Sequence, residues 1–219
     1  MIDQIHKSFK TLGATFLTGL FCLFIGWNPS AQANQVILVM GDSLSAEYGL
    51  PRGTGWVNLL QQQLLKEGSS WTIFNASISG ETTSGGRSRL KDLLVQRKPS
   101  LVLLELGAND ALRGLPITQT EINLRKMIQM SQESGAKALL FGMQIPPNYG
   151  QTYTRQFRDL YPALAIQENI ALLPFFLKGV ADRPELFQAD RLHPNAEAQN
   201  ILFQNVWGSM ARYKSMLKQ

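Results

Sequence analysis

Five short apolar runs recur along the chain: "QVILVM" (35–40), "WTIFNAS" (71–77), "SLVLLELG" (100–107), "AKALLFGMQ" (136–144) and "IALLPF" (170–175). They are rich in Val, Ile, Leu and Phe and too short for typical helices, which predicts strands buried on both faces. The intervening segments carry apolar residues at helical spacing. Trp56, Leu59, Leu60 and Leu64 form one such set, and Leu90, Leu93 and Leu94 another. Phe157, Leu160, Tyr161 and Leu164 form a third, and Ile201, Leu202, Val206, Met210 and Tyr213 mark a final helix. Five strands alternating with five helices predict an α/β fold, a parallel sheet covered by helices on both faces and joined by right-handed crossovers. No repeat, low-complexity tract or long linker interrupts the alternation, so one domain is expected over 34–219. The least regular stretch is "GMQIPPNYGQTY", where Pro146, Pro147 and Gly150 predict a non-helical path after the fourth strand.

The first 33 residues stand apart from this pattern. Lys7 and Lys10 precede "TLGATFLTGLFCLFIGW", and "AQA" at 31–33 supplies small residues before Asn34. That layout predicts a cleaved secretory signal and a mature chain beginning at Asn34, in the periplasm or outside the cell. The alternative is a retained membrane anchor. Against it, Gly13, Thr18, Gly19 and Gly26 dilute a run already shorter than the roughly 20 residues a spanning helix needs. Cys22 follows Phe21, where a lipoprotein signal requires a small residue, so no lipid anchor is expected. Cleavage would leave no cysteine, so stability must come from the core and not from disulfides.

Composition narrows the function further. Hydrophobic residues make up 44% and charged residues 17% of the 219, as in ordinary globular proteins. Removing the signal leaves 19 basic against 15 acidic side chains, a mild +4. No basic run is longer than two residues, as at Arg97-Lys98, and no aromatics interleave with it, so nucleic-acid binding is not expected. "NAS" at Asn75 matches a glycosylation acceptor, but it falls at the end of a strand expected to be buried, which discounts it.

In a parallel α/β sheet, ligands bind outside the carboxyl ends of the strands. Strand one runs into "GDSLS", strand two into "ISGETTSGG" and strand three into "GANDALRG", so three polar, glycine-containing turns should meet at one rim. His6 leaves with the signal, and His193 in "QADRLHPNA" is then the sole histidine. A zinc site of several His or Cys ligands is thereby disfavoured. Asp42 and Asp110 offer carboxylates for magnesium, but no phosphate-cradling "GxxxxGK" accompanies them.

A serine hydroxyl attacks a carbonyl only if a neutral imidazole takes its proton, with an acid holding the imidazole's tautomer. Ser43, His193 and Asp190 supply those parts. Backbone N–H groups of Ser43 and Gly80, with the amide of Asn109, would form an oxyanion site if the three turns meet. Each residue also has a plainer reading. Gly, Asp, Asn and Ser are what turns are made of, and a histidine before proline is a common loop residue. "GxSxG" is absent, since Ser45 follows at the second glycine position.

"GDSLS", "SGETT", "GAND" and "DRLHP" occur in the order shown by the GDSL, or SGNH, hydrolases, which the chain resembles. The likeness extends over "ILVMGDSLSAEYG", "NASISGETTSGG", "LVLLELGANDALRG", "QIPPNYG", "LLPFF" and "HPNAEAQ" to that family's secreted bacterial branch of multifunctional thioesterases, lysophospholipases and arylesterases. The resemblance implies a three-layer α/β/α, flavodoxin-like fold and a serine acyl-enzyme mechanism with Ser43, Asp190 and His193 catalytic. It implies Ser43, Gly80 and Asn109 at the oxyanion, no cofactor or metal, and usually a monomer. Its substrates would be small acyl esters, acyl thioesters and lysophospholipids; an acyltransferase or carbohydrate deacetylase would share the same triad, and a non-catalytic lipid-binding module would keep only the fold. Asp42, Leu44, Asp110, Leu112, Leu115, Ile145 and Tyr149 flank the expected rim and are the candidates for contact with substrate.

Overall fold

The computed structural model describes residues 35–217, so the expected signal segment and the boundary at Asn34 lie outside the described residues. Five strands form one sheet: β1 (Val36–Gly41), β2 (Thr72–Asn75), β3 (Leu101–Glu105), β4 (Lys137–Phe141) and β5 (Ala171–Leu173). Their order is β2-β1-β3-β4-β5 and every pairing is parallel. Nearly all of β1, β3 and β4 is buried, as their continuous apolar composition requires. The expectation of burial on both faces fails for β2, whose Thr72 and Asn75 are exposed and Ile73 and Phe74 half-buried. It is an edge strand with a neighbour on one side only. Asn75 is therefore not a buried strand end, and burial gives no reason to discount its "NAS"; its Nδ2 does donate to Ser45 O at 2.7 Å.

The helices are α1 (Trp56–Lys66), α2 (Thr83–Arg97), α3 (Ala108–Leu112), α4 (Ile117–Glu133), α5 (Gln151–Gln167), α6 (Gln199–Ser209) and α7 (Lys214–Leu217). α1 packs with α6, while α4 packs with both α2 and α5, giving one helical layer on each face of the sheet. Among the described residues, α3 and α7 are single turns that apolar spacing does not reveal. Met210 and Tyr213, read as the end of the last helix, lie in a 3-10 turn that follows α6. After β4 the chain passes through Pro146 and a 3-10 turn at Pro147–Tyr149 before α5, because proline lacks the N–H a helix interior needs.

Trp56 joins the core to the rim. Its ring packs against Phe141 and Phe176 at 5.7 and 5.6 Å between centroids, while its Nε1 donates to Leu44 O at 3.2 Å. No side chain of α1's own N-cap closes its first turn; Gln199 Oε1, from α6, accepts the Trp56 N–H at 3.1 Å instead.

Candidate active site

Ser43 sits in the turn that leaves β1, and that turn is held from several sides. Asp42 O accepts from Ser45 N and Ala46 N, at 3.2 and 2.9 Å. Asp42 Oδ1 accepts from Leu44 N at 3.0 Å, the Asx geometry that makes aspartate a turn residue. With Trp56 on Leu44 O and Asn75 on Ser45 O, the backbone around Ser43 has little freedom.

His193 comes from the loop between β5 and α6, at the far edge of the sheet from β2. Phe187 and Pro194 form an antiparallel bridge that closes this loop, and Gln188 N donates to His193 O at 2.8 Å. Gln188 Nε2 donates to Tyr48 O at 2.8 Å and to Pro194 O at 3.2 Å, tying the histidine loop to the serine loop. At the loop tip Arg191 adopts φ 54°, a left-handed conformation uncommon outside glycine. That bend brings Leu192 N and His193 N onto Asp190 Oδ1, at 2.9 and 3.0 Å.

The functional contacts follow from these placements. His193 Nδ1 lies 2.7 Å from Asp190 Oδ2, and His193 Nε2 lies 2.9 Å from Ser43 Oγ. A carboxylate accepts only, so in the neutral imidazole the proton resides on Nδ1 and Nε2 is free to accept from the serine hydroxyl. The Asp190 carboxyl is pulled down to about 2, first by the His193 backbone N–H, then by its ring and by Leu192 N–H. Tyr48 lies against the imidazole with ring centroids 4.3 Å apart.

Gly80 and Asn109 reach the same groove as Ser43 and His193. Gly80 has φ 77° and its carbonyl accepts from Arg113 Nη2 at 2.9 Å. Among the described residues neither Ser43 N–H nor Gly80 N–H donates to another group, so both are available to an incoming oxygen. Asn109 differs: its Nδ2 donates to Asp42 Oδ2 at 2.9 Å and to Glu81 O at 3.0 Å. Both amide hydrogens are thus engaged, and an oxyanion must share or displace one acceptor. Asp42 is buried, and loss of water raises its carboxyl from 3.8 to about 6 despite hydrogen bonds from Leu44 and Asn109.

The groove has a volume of about 1360 Å³, with Leu44, Leu112, Met143, Ile145, Phe175 and Leu177 among its apolar walls. Asp42 also lines it. Asp110, Leu115 and Tyr149 do not. Asp110 is buried and accepts from Thr83 N at 2.8 Å and Thr83 Oγ1 at 2.5 Å, bracing the start of α2. Leu115 and Tyr149 project to solvent from the loops beside the groove.

Residues 39–201 match the GDSL-like lipase/acylhydrolase family model, a span that contains Ser43, Gly80, Asn109, Asp190 and His193. The chain belongs to the GDSL-like lipase/acylhydrolase family. It is 47% identical over 197 residues to the esterase TesA of Pseudomonas aeruginosa, covering 90% of this chain and 97% of that protein. It is 43% identical over 172 residues to thioesterase 1/protease 1/lysophospholipase L1 of Escherichia coli K12, covering 78% of this chain and 81% of that protein. The crystal structure of TesA superposes with a TM-score of 0.79 at 48% identity, over 81% of this chain and 98% of that one. Membership of the GDSL-like family makes this chain an enzyme that hydrolyses esters with a serine, on a three-layer α/β/α fold.

Several residues of the site escape a reading by motif. Gln188 carries no signal, since its role is to bridge two loops distant in sequence. Tyr48 lies within "AEYG" but its tilted ring contact with His193 depends on the fold. Glu105 is visible as the one acid inside "LVLLELG", an exception in a run otherwise apolar.

Proposed function

We propose that this enzyme hydrolyses acyl esters and thioesters, with lysophospholipids among its substrates, through a Ser43–His193–Asp190 triad. The observation that carries the reading is the unbroken line of contacts from Asp190 Oδ2 to His193 Nδ1 and from His193 Nε2 to Ser43 Oγ, 2.7 and 2.9 Å long, opening on an apolar groove. Ser43 Oγ attacks the acyl carbonyl as His193 Nε2 takes its proton, and Asp190 steadies the imidazolium. The oxyanion rests on Ser43 N–H and Gly80 N–H, with Asn109 turning one amide hydrogen from Glu81 O or sharing the one on Asp42. Each such donor is worth about 3 kcal/mol in the transition state. His193 then gives the proton to the leaving alcohol or thiol. Water attacks the acyl-enzyme by the same route, with His193 again as base.

The apolar walls suit a fatty acyl chain, and the two relatives, an esterase and a thioesterase/lysophospholipase, support ester and thioester substrates. We place the enzyme in the periplasm or outside the cell, without a membrane anchor, on the strength of its N-terminal layout, and infer a monomer from its resemblance to the family's secreted branch. Mass analysis of the N-terminus should then find Asn34.

A panel of nitrophenyl esters of graded acyl length, acyl-CoAs and lysophospholipids, run with wild type and Ser43→Ala, tests the mechanism. The variant should lose about a thousandfold or more in kcat on every substrate hydrolysed. Equal activity of the two proteins on any substrate contradicts the triad, and binding without turnover by wild type would make the protein a lipid-binding module.

A further inference from the structure

Glu105 ends β3 between Leu104 and Leu106, and its side chain is fully buried. An ionised carboxylate taken out of water without a cation costs several kcal/mol. Burial pushes the Glu105 carboxyl well above the usual range, and the neighbouring Asp42 carboxylate pushes it further. Its Oε1 has no hydrogen-bond partner among the described residues. Leucine, the residue on either side, would fill this place at no such cost, so the acid is kept for what its other oxygen does.

Oε2 accepts two hydrogen bonds, from Ser45 Oγ at 2.7 Å and from Asp42 N at 3.2 Å. Those two donors stand on either side of Ser43, one residue before it and two after. Gly41, which pairs with Glu105 across the sheet, is shaped to the same contact. A Cβ there would come within 2.6 Å of Ser45 Oγ and 2.7 Å of Glu105 Oε2. Its φ is not left-handed, so glycine at this position serves space and not backbone freedom. Two strands are thus cut to admit one buried clamp beneath the nucleophile turn.

We propose that Glu105 is a positioning residue for hydrolysis: Oε2 holds the residues flanking Ser43 and thereby aims Ser43 Oγ along its line to His193 Nε2. This rests on Ser43 being the nucleophile. Glu105 does not line the groove, so its influence falls on the chemical step and not on substrate binding.

The test compares Glu105→Gln, which keeps an acceptor oxygen, with Glu105→Leu, which removes it, using a nitrophenyl ester and thermal melts. Glu105→Leu should lose about 100-fold in kcat, the scale expected for misplacing a reacting group by about an ångström. KM should stay within about threefold, and Glu105→Gln should recover kcat to within about fivefold of wild type. Gly41→Ala should behave like Glu105→Leu, since it wedges the clamp open from the facing strand. A folded Glu105→Leu with kcat near wild type overturns the proposal, as does a Gln variant no better than the Leu variant. Should the Leu variant fail to fold, Gly41→Ala and Ser45→Ala break the clamp from its other side, and unchanged kcat in both overturns it equally. Failure of the underlying triad shows differently, as activity surviving in Ser43→Ala.

Discussion

Asp42 has a carboxyl that is buried for a purpose other than charge: one oxygen holds Leu44 N–H and the other the Asn109 amide. Because burial raises its folded pKa to about 6 from 3.8, the proton it binds on folding adds stability below pH 3.8 that is lost as pH rises through about 6. Asp42→Asn removes that titration. The stability of wild type relative to the variant should therefore be greater at pH 4 than at pH 7, by on the order of 2 kcal/mol, in urea unfolding at the two pH values. A difference that does not change with pH contradicts the assignment. Asp190 behaves oppositely. Held at about 2, it stays ionised through mildly acidic conditions, where Asp42 and not Asp190 changes its charge. At this scale Ser43, His193 and Asp190 were legible because motifs carry them. The burial of Asp42 and the contacts of Glu105 with Asp42 N and Ser45 Oγ were not, because they depend on which strand lies beside which.

Elements, rather than residues, explain why Asp110 sits beside Asn109 yet faces away from the groove. Asp110 accepts from Thr83 N and Thr83 Oγ1 at the start of α2, while Thr120 Oγ1 of α4 approaches it at 3.4 Å. Asn123 Nδ2 extends the network by donating to Thr83 Oγ1 at 3.1 Å. One short helix, α3, thus presents Asn109 to the groove and Asp110 to the seam between α2 and α4. Asp110→Ala strands these buried donors and should cost about 2–3 kcal/mol of stability. KM should remain within about twofold in the folded variant; a large rise in KM without loss of stability would return Asp110 to the substrate. The strands were legible from their apolar runs, and α1, α2, α5 and α6 from helical spacing. The single-turn α3 was not, since five residues are too few to show a period, and the exposure of β2 follows from strand order, which apolar content does not encode.

Across the whole molecule, the order β2-β1-β3 places the turns bearing Gly80, Ser43 and Asn109 side by side, as parallel strands with right-handed crossovers dictate. That convergence is legible in the order of apolar runs and polar turns. The histidine loop could not be placed so simply, because it leaves the sheet after β5 and must return across the rim, held by the Phe187–Pro194 bridge and by Gln188 on Tyr48 O. The extent of the groove was the least legible feature: Leu112 and Ile145 line it, whereas Leu115 and Tyr149, a few residues on, point to solvent. Side-chain direction in irregular loops has no period to read. The proposed hydrolysis depends on one atom, Ser43 Oγ, becoming the acyl carrier. The most direct measurement is peptide mapping by mass spectrometry after treatment with a nitrophenyl alkylphosphonate. A single adduct on the peptide containing Ser43, with activity lost in proportion, is the predicted result; unmodified protein that is still active, or an adduct on another residue that abolishes activity, would contradict it.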